Sequence, residues 1–493
     1  MDLELASERK TLVLKFGGTS VGDADAIGRV ADIVGQVRKE WPRVVVVSSA
    51  MSGVTDLLLH SAEQAVKGQT EEIHLAAGRI RSMHFAVVDA LLPSRAHQAN
   101  LKQTINHLIA EFTSLCQAIG ILGEATPRAL DAVASMGERL SVRLLAAVLE
   151  AREIPAQLVE ATQLIVTDRE FQTAHPDVEA TTGLVRQVLE PLLGQGRVVV
   201  VTGFIAATPE GITTTLGRGG SDYSAALLGA ALPADDVWIF TDVDGVMSGD
   251  PRLVPEARTI PVLSYREISE LAYFGAKVLH PKTIRPVIEA HIGLKICNTF
   301  RPTHPGTRLV ADSPAGMTAM QGNENGIVKA VTAIRGQSLV TIEGRGMLGV
   351  PGVAARAFGA VAATGTSVPL ITQASSEQSI CFAVPMETAG KVVASLEAVF
   401  AGELARADID RISASDPVVI ITAVGAGMRH TPGVAGLIFG ALGAQRVNVI
   451  AIAQGSSEVS ISLVVAAADL EAAVRTLHEL IVAHSVETNP LRV

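Results

Sequence analysis

Thr11-Leu12-Val13-Leu14-Lys15-Phe16-Gly17-Gly18-Thr19-Ser20 is the stretch that decides the fold. The apolar run through Phe16 reads as a buried strand, and the two glycines that end it lead to a helix expected to start near Asp23. Arg43-Val44-Val45-Val46-Val47-Ser48-Ser49 is a second strand of the continuous apolar kind that parallel sheets covered on both faces produce. Residues 50–55 form its exit loop. Residues 56–125 have helix-forming composition with one break at Pro93. A third strand over 197–204 is followed by a polar hairpin through 211–216. Gly217-Arg218-Gly219-Gly220-Ser221-Asp222 then opens a helix over 223–231, and 236–241 is a further strand. This alternation predicts an α/β fold with a doubly wound, mainly parallel sheet and ligands at the carboxyl ends of its strands.

Beyond a segment at 301–325 rich in Pro, Gly and small polar residues, the chain repeats itself. Met347-Leu348-Gly349-Val350-Pro351-Gly352-Val353-Ala354 aligns with Met428-Arg429-His430-Thr431-Pro432-Gly433-Val434-Ala435. The same offset of 81 residues carries Phe358 onto Phe439, Gln373 onto Gln454, Glu377 onto Glu458 and Ser379 onto Ser460. Each copy reads strand, Gly-rich turn, helix, strand, strand, helix. A strand over 328–334 is left over before the first copy, and we expect it to complete the second copy's sheet. The expected organisation is a body over 10–310, a linker over 311–326, a first module over 337–405, and a second module built from 327–336 plus 412–490.

With 493 residues, two to four domains are expected. A 48% hydrophobic content with only 3% aromatics suits helix-on-sheet packing. No continuous apolar run of membrane-spanning length is evident, and residues 1–10 mix charges without an apolar core, so an intracellular, cytoplasmic location is expected. Cys116, Cys297 and Cys381 are too few and too scattered for a disulfide framework or metal cluster, and read as small buried hydrophobes. A net charge of −10 with dispersed basic residues argues against a nucleic-acid partner.

Lys15 with Gly17, Gly18 and Thr19 places a cation and accessible backbone N–H groups at a strand end, where phosphate oxygens can be held. Glycines at such a turn are also needed sterically in folds that bind nothing. Gly217 to Asp222 is more specific: its glycines admit a ligand to the backbone, and Arg218 can clamp a carboxylate. Ser135-Met136-Gly137-Glu138-Arg139 puts a carboxylate at an early helix position, for which an N-terminal, dipole-satisfying role is the bland alternative. Thr241-Asp242-Val243-Asp244-Gly245 sits at a strand end before Asp250-Pro251-Arg252, a turn that can wrap a base and ribose. Phe274-Gly275-Ala276-Lys277-Val278-Leu279-His280-Pro281 adds a Lys beside a glycine.

Taken in order, these five motifs closely resemble those of aspartate kinases, over about residues 11–490, and the duplicated tail resembles that family's paired ACT modules. The resemblance implies an amino-acid-kinase-like body followed by two βαββαβ ACT modules. It further implies an ATP-dependent phosphotransferase making 4-phospho-L-aspartate from L-aspartate. On this resemblance Lys15 sits against the transferring phosphoryl group, with Gly17, Gly18 and Thr19 around it. Glu138 holds the substrate ammonium and Arg218 its α-carboxylate, while Ser49, Thr55, Phe204 and Ser221 line the same pocket. Asp222 is a polar organiser facing either substrate or a hydrated metal. Thr241, Asp242, Arg252 and Lys277 contact the nucleotide. Mg²⁺ rides on the phosphates through water, with no dedicated protein ligands. Met247 departs from relatives that carry Tyr near the base.

The segments around Gln373 and Gln454 resemble threonine-sensitive aspartate kinases, including the kinase halves of fusions with homoserine dehydrogenase. No Gly-x-Gly-x-x-Gly follows the second module, so no dehydrogenase half is expected in this sequence, although it can belong to a longer fusion. Met347, Gly349, Gln373 and Gln454 are the expected effector contacts, in one shared pocket, with threonine as first effector and lysine as second. ACT modules tend to pair across subunits, so a homodimer is expected. Phosphorylation of another carboxylate, as by acetylglutamate kinase, and a catalytically dead amino-acid-binding regulator are the alternatives. The duplicated tail disfavours the first, and intact Lys15, Glu138, Arg218 and Asp222 disfavour the second.

Overall fold

The computed structural model describes residues 10–276, 279, 281–311, 327–347, 350–373, 378–455 and 458–486. They form two compact units, one of residues 1–246 with 279–311, the other of 247–278 with 312–493.

In the first unit, Thr11–Phe16 pairs in parallel with Arg43–Ser48 on one side and Asp236–Thr241 on the other. Outward from Arg43–Ser48 come Val198–Thr202 and then Ala156–Val159, all parallel. Outward from Asp236–Thr241 come Gly293–Asn298, parallel, and Thr307–Val310, antiparallel. Chain order therefore reverses about Thr11–Phe16, which makes its carboxyl end the switch point of a doubly wound sheet. Val44, Val45, Val46 and Val47 are at most 1% exposed, as covering on both faces demands. Each such side chain contributes about 1.5–3 kcal/mol of burial free energy. The predicted hairpin is present, with Ile205–Ala207 paired to Thr213–Thr215.

The helical region consists of Val54–Val66, Thr70–Leu91 and Arg95–Leu122. The last two flank Pro93. The break around Gly68, at φ +73°, carries no proline and was not anticipated. Arg95–Leu122 is long and apolar enough to cross a membrane by length and composition, contrary to the sequence expectation. Its Ile105, Ile109, Phe112, Cys116 and Ile119 recur every three or four residues and are buried in the protein core instead.

In the second unit the strands expected at 328–334 and 337–343 are one strand, Ala330–Glu343. Its first half pairs with Val418–Val424 and its second with Ser379–Pro385, and the register shifts between Ile334 and Gln337, around Gly336 at φ +66°. One module is thus interposed between two paired strands of the other. The repeated helices Val353–Ala363 and Val434–Ala444 both start from a left-handed glycine, Gly352 at φ +88° and Gly433 at φ +90°. That shared conformation is what the duplicated Pro-Gly preserves.

Residues 247–278, assigned from sequence to the catalytic body, pack with this second unit. Val254 joins the core of Val419, Ile421 and Leu463. Ser248 bonds His478 at 2.8 Å, and Ser460 donates to Glu270 at 2.8 Å. Glu267, in the first turn of helix Tyr265–Tyr273, is fully buried against Lys329 at 3.2 Å and accepts the Ala426 N–H at 2.6 Å. A body boundary at 310 misses this interleaving. Glu267→Ala leaves Lys329 buried without its counter-charge, and a loss of about 3–5 kcal/mol is expected in urea denaturation. Wild-type stability would refute this role of the pair.

Candidate active site

Backbone bonds continue past the strand ends at the switch point: Gly17 N–H donates to Phe240 O, Ser49 N–H to Phe16 O, and Gly203 N–H to Ser48 O. Four loops are thereby held side by side around a cavity of about 580 Å³. Lys15, Gly17, Gly18, Thr19, Ser49, Thr55, Glu138, Phe204, Arg218, Ser221, Asp222, Thr241 and Asp242 all line it, so one space brings together most of the residues singled out from sequence.

Glu138 reaches the cavity from the middle of the long helix Pro127–Ala151, not from an early helix position as expected, so a dipole-satisfying role at the helix start does not apply. Gly137 permits the approach, since a Cβ there would lie 2.7 Å from the Ala50 side chain. Glu138 is 3% exposed; its Oε1 accepts the Ala50 N–H at 3.1 Å, while its buried Oε2 has no hydrogen-bond partner among the described residues. Burial pushes its carboxyl pKa up to about 8, against the smaller opposing effect of the Ala50 bond. An unsatisfied buried carboxylate oxygen in a ligand-sized cavity suits a cationic ligand group.

Two helical turns earlier, Asp131 accepts Thr215 N–H at 3.0 Å, Thr215 Oγ1–H at 2.7 Å and Gln172 N–H at 2.9 Å. It ties the hairpin, and hence the loop that follows, to the Glu138 helix. Sequence reasoning missed Asp131, although its seven-residue spacing from Glu138 places both on one face. Ser52, Gly53 and Asp56 also line the cavity and were passed over as loop and helix start.

The loop opens with Gly217 and Gly219 at φ +72° and +73°, and Gly219 precedes helix Gly220–Ala231. The helix start is pressed onto the neighbouring strand end: a Cβ at Gly203 would lie 2.7 Å from Ser221, and one at Gly220 would lie 2.8 Å from Phe204. Phe204, itself at φ +66°, is fixed by its N–H to Ser224 Oγ at 3.0 Å. The positive end of the helix dipole, Lys15 and Arg218 thus meet in one cavity. Lys15 Nζ lies 2.5 Å from Asp222 Oδ1, with both side chains largely buried, so Asp222 faces Lys15. Arg218 is exposed and has no hydrogen-bond or ion-pair partner among the described residues.

One expected nucleotide contact falls elsewhere. Arg252 belongs to the second unit, where its guanidinium bonds its own neighbour Asp250 at 3.0 and 2.8 Å, and it does not line this cavity. Lys277 lies outside the described residues, as does Gly349. Met347 and Gln373 line a separate cavity of about 350 Å³ with Val350, Pro351, Gly352, Val353, Ala354 and Ile380. Gln454 does not line it, contrary to the expectation of one shared pocket. The two glutamines end equivalent strands, Leu370–Gln373 and Ala451–Gln454, which contact each other although they stand at the two ends of the sheet order. Among the described residues, no group of three or more His, Cys, Asp or Glu is placed to hold a metal ion.

A doubly wound sheet with glycine-rich loops and a buried carboxylate at its switch point is the architecture of the amino-acid-kinase class. The amino acid kinase family matches residues 10–298, and the ACT domain matches 340–400 and 421–480. The chain is 38% identical over 473 residues to the maize (Zea mays) chloroplastic bifunctional aspartokinase/homoserine dehydrogenase 1, covering 94% of this chain and 50% of that protein. It is 34% identical to Escherichia coli lysine-sensitive aspartokinase 3, covering 95% and 98% respectively. The crystal structure of E. coli aspartokinase III with aspartate and ADP superposes with a TM-score of 0.77 at 31% identity, covering 96% of this chain and all of that one. The lysine and aspartate complex of the same enzyme gives 0.75. The chain belongs to the amino acid kinase family and, within it, to the aspartokinases. It spans about half the length of the plant bifunctional relatives.

Proposed function

We propose that this chain is an aspartate kinase that transfers the γ-phosphoryl group of ATP to the β-carboxylate of L-aspartate, giving 4-phospho-L-aspartate, the first step towards the aspartate-family amino acids. The observation that carries this reading is the unsatisfied Oε2 of Glu138, buried in the cavity that Lys15, Arg218 and the Gly220–Ala231 helix start also line. Glu138 would take the substrate ammonium and Arg218 its α-carboxylate, which leaves the β-carboxylate directed towards Lys15. That carboxylate is already ionised at neutral pH, so no general base is required. Catalysis then consists of in-line positioning and neutralisation of charge on the transferring group. Lys15, held by Asp222, supplies the cation, and Gly17, Gly18 and Thr19 supply backbone and hydroxyl contacts. Thr241 and Asp242 would meet the nucleotide.

The acidic residues around the cavity, with Asp222 engaged by Lys15, fit a Mg²⁺ ion carried on ATP phosphates and water. When bound, it would neutralise phosphate charge. ADP formation that depends on L-aspartate, followed in a coupled assay, tests the activity.

The Met347–Gln373 cavity is the proposed effector site, with threonine as first effector and lysine as second; the E. coli relative was crystallised with lysine. Gln373→Ala is expected to raise the half-inhibitory effector concentration about tenfold, the effect of losing one or two hydrogen bonds, with uninhibited turnover unchanged. An unchanged inhibition curve would remove Gln373 from the site. Gln454, on the neighbouring equivalent strand of the second module, is the further proposed effector contact. Dimerisation through the ACT modules and a cytoplasmic location complete the reading.

A further inference from the structure

The active-site cavity shares a wall with a second one. Ser52, Gly53 and Asp56 line both. The second cavity, of about 400 Å³, is completed by Leu57 and His60 from helix Val54–Val66 and by Arg79 and Met83 from helix Thr70–Leu91. Nothing in the aspartate kinase reaction requires it.

Its chemistry is that of a zwitterion site. Asp56 and Arg79 both line this space and are both exposed, and neither has a hydrogen-bond or ion-pair partner among the described residues. His60 is engaged with Gln64 at 3.3 Å and stands 3.9 Å from Glu63. Leu57 and Met83 are half-buried, pack on the main core, and give the space an apolar wall. A simple anion would be repelled by Asp56, and a simple cation by Arg79. A molecule carrying both charges beside an apolar group satisfies every wall, and the volume suits a small metabolite.

We propose that this cavity binds an α-amino acid with an apolar side chain, its carboxylate on Arg79, its ammonium on Asp56 and its side chain against Leu57 and Met83. Asp56 and the Ser52–Gly53 loop also line the aspartate cavity, so occupancy raises the KM for L-aspartate several-fold while leaving kcat in place. That kinetic effect rests on the aspartate kinase reading; the binding does not.

Isothermal titration of L-leucine into the full chain, and into its Arg79→Ala, Met83→Trp and Gln373→Ala variants, tests the site without turnover. The expected result is equal binding by wild type and Gln373→Ala, with at least about tenfold weaker binding by the other two, which keep wild-type kcat and KM. No binding by wild type, unchanged affinity in both Arg79→Ala and Met83→Trp, or loss confined to Gln373→Ala would each overturn the proposal. Leucine binding of the expected pattern in a chain that fails to phosphorylate aspartate would uphold this site and refute only the catalytic reading.

Discussion

Lys15→Ala is expected to lower kcat/KM for aspartate phosphorylation by about 10²–10³-fold, the range for deleting one preorganised group that stabilises transition-state charge. The Lys15 ammonium is 2.5 Å from Asp222 and largely buried, so its position is fixed before substrate arrives. Its removal has a second consequence. Asp222 is left as an uncompensated carboxylate in the space the phosphates enter, so the KM for ATP should rise as well. The double variant Lys15→Ala/Asp222→Ala should recover part of the ATP affinity and none of the lost kcat. Effector binding, measured by isothermal titration, should be unaffected in both. Near-wild-type turnover in Lys15→Ala would remove Lys15 from the chemistry.

Glu138→Gln is expected to raise the KM for L-aspartate by roughly 30-fold or more, the effect of leaving a substrate ammonium without its buried counter-charge. Its pH signature separates this role from a packing role. Burial raises the Glu138 carboxyl from 4.5 to about 8, so the unliganded protein holds this group protonated at neutral pH. Pairing with an ammonium needs the carboxylate. Aspartate affinity should therefore rise with pH up to about 8 in wild type, while this rise should be absent in Glu138→Gln.

Stability of the unliganded protein should move the other way. Between pH 4.5 and about 8 the folded state keeps a proton that the unfolded state has released. Unfolding free energy from this group thus falls as pH rises through that window. Thermal denaturation with and without aspartate reads both slopes. An aspartate affinity with the same pH profile in both proteins would refute the assignment.

What was legible in the sequence is what backbone constraints impose locally. Leu12 to Phe16 and Val44 to Val47 had to be strands covered on both faces, because no half-exposed strand carries such a run. Gly217, Gly219, Gly352 and Gly433 mark left-handed positions that a turn requires, and they located both the loop before helix Gly220–Ala231 and the repeated helix starts.

What was not legible depends on distant partners. The Glu267–Lys329 pair joins residues 62 apart, and nothing near either one signals that 247–278 packs with the second unit. Arg252 shows the same limit at the level of a side chain, since its bidentate partner is its own neighbour Asp250. Repetition misled in one respect. It preserved Gln373 and Gln454 in register on two strands that contact each other, yet only Gln373 lines the cavity beside Met347.

The central claim is that the cavity phosphorylates a β-carboxylate. The purified chain, incubated with ATP, Mg²⁺, L-aspartate and hydroxylamine, should release ADP and accumulate β-aspartyl hydroxamate in equal amounts. ADP release without hydroxamate, or an α-aspartyl hydroxamate, would contradict it.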